Sequence, residues 1–237
     1  MKKIFYSPLF IFCFLQFSFA QSKADNFYTD GLKKYSSGSY EEAINLFSQS
    51  LKSNKKNDYV YYARGLAYYY QGKYNYAMKD CDKAIKLKPY SSNAYILKGI
   101  SKIKLLDYLG SINDFNIALR YNNNSYLGYY NLGLAYYNLK DYENALFNFR
   151  TALKIKPDHD QSLYSIGLIF YEQHKYNDAI VVLNDCIKAN PGDASAFYCR
   201  GLAEHFSNDN KSACDDFNRS VSLGYSDGTT AINFYCK

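Results

Sequence analysis

Residues 126–159, YLGYYNLGLAYYNLKDYENALFNFRTALKIKPDH, decide how this chain is read. Their central glycine, Gly133, has counterparts at Gly31, Gly65, Gly99, Gly167 and Gly201, each 34 residues from the next. With glycine at roughly 7 % of residues, such a run on a spacing fixed by its first pair is a coincidence on the order of one in tens of thousands. The chain is therefore a repeat array without insertions, with units at 24–57, 58–91, 92–125, 126–159, 160–193 and 194–227. Because each unit of an array contacts only its neighbours, the 237 residues are expected to make one elongated body.

Once the register is set, other columns align. Twelve residues after each glycine stand Ala43, Ala77, Ser111, Ala145, Ala179 and Ala213, all small. Seven further on come Ser50, Ala84, Ala118, Ala152, Cys186 and Ser220, followed directly by Leu51, Ile85, Leu119, Leu153, Ile187 and Val221. Small residues at fixed places let helix backbones approach, and the larger apolar neighbours fill the space between them. Polar or glycine-containing breaks such as 36–39 and 71–73 split each unit into two helices. Pro89, Pro157 and Pro191 share one column at the unit's end, where a helix must already have stopped.

The 34-residue unit resembles the tetratricopeptide repeat, with an aromatic, then Leu-Gly, then Tyr, Ala, Phe and Pro at set places. Residues 126–159 match best, through Tyr129, Leu132, Gly133, Tyr136, Ala145, Phe149, Ala152 and Pro157, and the resemblance covers 24–227. It implies an all-α, right-handed superhelical solenoid of antiparallel helix pairs. Departures fall in the first repeat (Asp30, Lys34, Lys55), the third (Lys102, Asn123) and the sixth (Glu204, Asn210). Terminal repeats are commonly atypical, but the third is internal, so its departures bear on local packing. The tail, 228–237, carries Ala231, Ile232, Phe234 and Tyr235, with Thr229 or Thr230 placed to cap a short helix over the last repeat.

In that family the first helix of each repeat lines a concave groove, and repeat positions 2, 5, 9, 12 and 13 usually meet a ligand. Carried onto this sequence, the resemblance gives a groove of Tyr28, Tyr35, Tyr62, Leu66, Tyr69, Tyr130, Leu134, Tyr137, Tyr164, Leu168, Tyr171 and Tyr198. The third repeat contributes Ile96, Ile100 and Ile103, and Leu32, Leu202 and His205 complete the columns. Tyrosine offers contact area at low entropic cost, which suits an extended peptide or a partner helix. The same rings could instead pack against neighbouring helices, as apolar stripes at helical spacing commonly do. Tyr61, Tyr68 and Tyr74 read as packing. Chaperone-binding members hold a carboxylate with Lys and Asn at positions 5 and 9, and these columns hold Tyr, Leu and Ile instead.

Composition adds a compartment. Lys2 and Lys3, a mostly apolar run from Ile4 to Phe19 and small residues at Ser18 and Ala20 read as a signal peptide over 1–20, cut after Ala20. Leu9 to Leu15 is shorter than the roughly 20 residues that span a bilayer, and no second long apolar segment follows. The expectation is an exported protein, periplasmic or secreted, without an integral membrane span. Without the two leader lysines the net charge of +6 falls to about +4, weak evidence for an anionic partner, and a nucleic-acid role conflicts with export.

Cys186, Cys199, Cys214 and Cys236 crowd the last 52 residues, and an oxidising compartment admits disulfides among them. Cys214 and Cys236 are each 11 residues from Tyr225, so a helix hairpin turning there brings them side by side. Cys186 with Cys199 flanks the preceding turn similarly, and Cys199 with Cys214 competes. Cys81 stands in the column of Phe47, Phe115, Phe149 and Phe217 and reads as a small core residue. No CxxC or HxxxH supports a metal site, and no GxSxG, HExxH or phosphate-binding GxxxxGK supports catalysis. The sequence thus points to a non-catalytic scaffold or assembly adaptor for a protein or peptide, needing no cofactor. The alternative is a structural component of a cell-envelope complex that binds through its outer face or stacks end to end.

Overall fold

A computed structural model describes residues 23–236; the expected leader, 1–20, lies outside them. Thirteen helices and no strand occur among the described residues. The first, α1, spans residues 23–36 and pairs with α2 (Tyr40–Ser53). Five further hairpins follow: α3 (Asp58–Tyr70) with α4 (Tyr74–Leu87), α5 (Ser92–Lys104) with α6 (Tyr108–Tyr121), α7 (Tyr126–Asn138) with α8 (Tyr142–Ile155), α9 (Asp160–Glu172) with α10 (Tyr176–Ala189), and α11 (Ala194–Phe206) with α12 (Asn210–Ser222). A last helix, α13 (Asp227–Tyr235), ends the chain. Odd-numbered helices up to α11 open a hairpin, and the following even-numbered helix closes it.

Local chemistry sets the helix ends. Asn57, Asp107, Ser125, Asp141, Asp193 and Asp209 each accept a backbone N–H of the following first turn, satisfying donors that an α-helix leaves open. Each opening helix stops on one residue in the left-handed region: Gly38, Gly72, Leu106, Lys140, His174 or Asn208. The next amide reaches back five residues, as in Ser39 N–H to the Lys34 carbonyl at 2.9 Å, and closes the turn.

The described residues form two compact units, one ending at Asn123 and the other beginning at Asn124. In the first, Ala43, Phe47, Val60 and Ala67 are wholly buried between α1, α2 and α3, and Ser50 Oγ donates to the Ala24 carbonyl at 2.8 Å. Small residues occupy the close approaches, and Phe47 and Phe115 fill the hairpin interiors. Cys81 takes the corresponding place in the second hairpin and is fully buried.

In the second unit Ala145, Phe149 and Ile169 form one core, Ala179, Leu183, Ala196 and Ala203 the next, and Ala213, Phe217 and Ala231 the last. Helix α13 lays Ala231, Ile232 and Tyr235 against Phe217 and Tyr198, and a Cys214–Cys236 disulfide with Cα atoms 5.7 Å apart ties it to α12. Cys186 and Cys199 are free and buried, so the second pairing is not made; Cys186 Sγ instead donates to the Asp160 carbonyl at 3.4 Å. Neither threonine caps α13. The helix starts earlier, at Asp227, and carries Thr229 and Thr230 exposed within it.

Buried ion pairs reinforce both units. Arg64 grips Asp80 with Nε and Nη2 at 2.7 and 2.8 Å while Nη1 donates to Ser48 Oγ of the preceding hairpin at 2.9 Å. Arg200 repeats the arrangement on Asp216 at 2.6 and 2.7 Å, with Asn184 as the preceding-hairpin acceptor at 2.6 Å. Such forked pairs fix orientation as well as charge. In the third hairpin two lysines share this role, Lys98 pairing with Asp82 at 2.8 Å and Lys102 with Asp114 at 2.7 Å. The departure at Lys102 is therefore compensated by an acid facing it.

Candidate functional site

The opening helices carry the candidate surface, and all twelve predicted groove residues are half-buried. Position 5 explains why. Tyr28 packs its ring 6.0 Å from Phe47, Tyr130 lies 5.8 Å from Phe149, and Tyr198 lies 5.9 Å from Phe217, each phenylalanine belonging to the same hairpin. Tyr130 also meets His159 edge-on at 4.9 Å. Tyr62 sits beside Cys81, and burial pushes its phenol up to about 12. Tyr164 packs on the core containing Cys186 and Cys199, and burial raises its phenol too. At neutral pH these groups stay protonated, as neutral hydrogen-bond donors with apolar bodies.

Position 9 supplies aliphatic surface. Leu134 and Leu168 lean on the cores of their own hairpins, and Leu66 is half-buried. Position 12 behaves differently from position 5. Tyr35, Tyr69, Tyr137 and Tyr171 each lie 5.5–6.0 Å from the tyrosine that begins the next helix, namely Tyr40, Tyr74, Tyr142 and Tyr176.

Position 13 of the following hairpin then closes this pair. Tyr70 stacks on Tyr40 at 5.3 Å with 13° between planes, and Phe206 stacks on Tyr176 at 5.3 Å with 19° between planes. Between these two sites in the chain, Glu172 replaces the ring and accepts the phenols of Tyr137 and Tyr142 at 2.6 and 2.7 Å. Burial and this carboxylate both raise the Tyr137 phenol. Tyr35, Tyr137 and Tyr171 thus join one hairpin to the next, while Tyr69 packs within its own. Position 13 holds Ser36, Tyr70, Lys104, Asn138, Glu172 and Phe206, with no single residue type to mark the column in the sequence.

His159, outside the predicted set, is buried between Tyr126 and Tyr130 with Nδ1 2.8 Å from Ser162 Oγ. Burial, with Lys156 nearby, lowers its pKa. Among the described residues no group of three or more His, Cys, Asp or Glu side chains is placed to hold a metal, and no helix is long and apolar enough to cross a membrane. What the surface offers is shape, aromatic area and neutral donors, which is chemistry for binding.

Sequence profiles described as tetratricopeptide repeat match residues 59–91, 126–159 and 160–193, and a TPR repeat profile matches 31–72. Together they cover more than half of the chain. No curated protein sequence matches. Among solved structures, PilW, a widely conserved type IV pilus biogenesis factor, superposes with a TM-score of 0.80 at 16 % identity, covering 89 % of this chain and 98 % of PilW. A tetratricopeptide repeat protein from Parabacteroides merdae gives 0.70 at 17 % identity, covering 90 % and 84 %. YrrB, a repeat protein with an unusual peptide-binding site, gives 0.61 at 18 % identity, covering 79 % and 98 %. At such identities the likeness speaks for the fold, and with the profile matches it agrees with the glycine register and the paired helices: the chain belongs to the tetratricopeptide repeat family.

Proposed function

We propose that this chain is an exported, non-catalytic scaffold whose opening helices dock a peptide or helix from a protein partner. The observation carrying the reading is the recurrence of half-buried Tyr and Leu at positions 5 and 9 within each unit, Tyr62 and Leu66 in the first and Tyr130, Leu134, Tyr164 and Leu168 in the second. Rings already held by core packing lose little freedom on binding, so their exposed edges are pre-organised. The peptide-binding site of YrrB and the part of PilW in pilus biogenesis are compatible with a protein partner.

The test is capture of the partner by tagged mature protein, crosslinking mass spectrometry to map it, and comparison with a Tyr62→Ala, Tyr130→Ala, Tyr164→Ala variant. If this variant keeps its fold and its captured partner, docking on these helices is wrong. Because the rings also pack, a second variant, Leu66→Lys with Leu134→Lys and Leu168→Lys, probes the same faces with less loss of core. A second reading, an envelope component binding through the closing helices, is favoured by exposed Phe147 and Val181, 65 % and 62 % accessible at the same repeat position on α8 and α10. Crosslinks confined to those two residues would support it.

A further inference from the structure

We propose that the edge of the first unit where α2, α4 and α6 finish rests on the headgroups of an anionic lipid bilayer. The net charge of the whole chain hides a split between the units. Residues 24–123 hold 15 Lys and Arg against nine Asp and Glu, while residues 124–227 hold nine against 13. In the first unit six cations and six carboxylates pair with one another, from Lys33 with Asp30 to Lys102 with Asp114. Nine cations are left over.

Six of those nine collect at one edge. Lys52, Lys86 and Arg120 occupy the same repeat position in the last turns of α2, α4 and α6, and all three are exposed. Lys55 and Lys56 follow in the exposed turn after α2, and Lys88 stands at the end of α4. None of the six is in an ion pair among the described residues. Against them, Asp25 and Asp58 open α1 and α3 at the same edge, Asp58 acting on Lys88. A cation in a helix's last turn complements the helix dipole, and Lys154 and Lys188 hold that position in the second unit, so the column alone needs no ligand. The loop lysines go beyond it: in the second unit Asp158 stands at the repeat position of Lys56.

Exposed rings stand among these cations. Tyr59, Tyr90 and Tyr121 are 58 %, 65 % and 49 % accessible, and Leu87, between Lys86 and Lys88, is 40 % accessible. Lys88 Nζ donates to the Tyr59 hydroxyl at 3.1 Å and lies 4.9 Å from the Tyr59 ring centroid and 5.7 Å from that of Tyr90. This chemistry favours a lipid surface over a single bound anion. Five of the six cations are lysines, which act as point charges without the fork that fixes one phosphate. Clusters of roughly four to eight basic residues are drawn to anionic bilayers. Tyrosine's apolar body and polar tip suit the zone between headgroups and acyl chains, where an exposed leucine also leaves water. Because the helix ends of one unit share an edge, several of these side chains meet a flat surface at once.

The test is flotation of the full mature chain with phosphatidylcholine vesicles, plain or containing about 30 % phosphatidylglycerol, and in parallel retention on sulfated dextran. One variant reverses the edge, Lys52→Glu with Lys86→Glu and Arg120→Glu. A second, Lys154→Glu with Lys175→Glu and Lys188→Glu, changes the net charge equally at exposed sites of the second unit, and thermal melting checks that both fold. The expected result is binding to the anionic vesicles alone, weakened at least about tenfold by the edge variant, held within about twofold by the other, and released in about 1 M salt, where charges are screened beyond about 3 Å. Tyr59→Ser with Tyr90→Ser should weaken it as well. Absence of binding to anionic vesicles, equal binding to neutral ones, or equal losses in the two charge variants overturns the proposal. Retention on sulfated dextran without flotation overturns it in favour of a soluble polyanion.

Discussion

Phe149 lies directly over Gly133, so that a Cβ on the glycine would stand 2.7 Å from the ring atoms Cδ1 and Cε1. Gly31 with Phe47, Gly99 with Phe115 and Gly201 with Phe217 show the same approach, and Leu183 takes the ring's place over Gly167. The 34-residue glycine column exists because the closing helix sets a large side chain on the bare backbone of the opening one. Gly65 is the exception, since Cys81 stands in the ring's column and the nearest atoms to the glycine's Cβ position lie at an ordinary 3.4 Å. Gly133→Ala is therefore expected to destabilise the chain by about 1–3 kcal/mol through overpacking. Gly65→Ala should be neutral or stabilising by up to about 1 kcal/mol, because alanine favours a helix interior. Urea denaturation of the two variants checks this, and equal losses at both sites would contradict it.

That contrast marks what the sequence could carry. Columns of one residue type in a fixed register report packing inside a hairpin, so Gly133, Ala145, Phe149 and Ala152 were readable together. Polar contacts were harder to see because they join different columns, within a hairpin and between hairpins. Arg64 reaches both Asp80 and Ser48, 16 residues away in opposite directions, and Lys102 looks like a lost tyrosine in the sequence although Asp114 faces it in the fold. For the candidate surface, position 5 was legible as aromatic but not as clamped by the hairpin's own phenylalanine. Position 12 resembled free groove surface, yet its rings are engaged by Tyr40, Tyr74, Tyr142 and Tyr176.

Glu204 occupies a place held by Tyr68 in the second hairpin and Lys102 in the third, and it shares Arg200 with Asp216. Its residue is 9 % exposed, and Oε2 has no hydrogen-bond partner. Burial first, then the Asp216 charge, raise its pKa from 4.5 to about 7, with Arg200 opposing and Asp209 adding to the rise. A carboxyl whose folded pKa exceeds its unfolded value contributes stability below about pH 4.5 and loses it as pH rises through about 7. Glu204→Gln keeps the shape without the charge. It is expected to match the parent near pH 4 and to be more stable at pH 8. Thermal melting across that range decides it, and a parallel pair of curves would refute the assignment.

Leu106 turns the third hairpin at φ 65°, a conformation assigned to glycine in the first two, and it is 72 % exposed. An L-residue there costs roughly 1–2 kcal/mol, against which glycine's extra freedom in the unfolded chain counts about 0.5–1 kcal/mol. With little packing to lose, Leu106→Gly should raise stability by about 0.5–1 kcal/mol. Chemical denaturation measures the gain; a loss instead would mean that the exposed leucine makes a stabilising contact in solution.

Helix α13 has only nine residues, too few to be stable by itself, and it holds its place through Ala231, Ile232 and Tyr235 and through the Cys214–Cys236 bond. That bond closes a loop of 22 residues, for which chain-entropy reasoning gives about 3 kcal/mol. A Cys214→Ser, Cys236→Ser variant is expected to melt at lower temperature, with α13 losing amide protection before the rest of the second unit. Once the helix lifts away, Phe217 and Tyr198 become accessible, so binding of an apolar dye should rise in parallel. Treating the parent with a dithiol should reproduce both changes, while the free thiols Cys81, Cys186 and Cys199, buried in their cores, leave the variant unresponsive to the same treatment. Hydrogen exchange read peptide by peptide separates these outcomes: uniform protection loss across the unit would place the disulfide's effect on the whole fold instead of on its terminal helix.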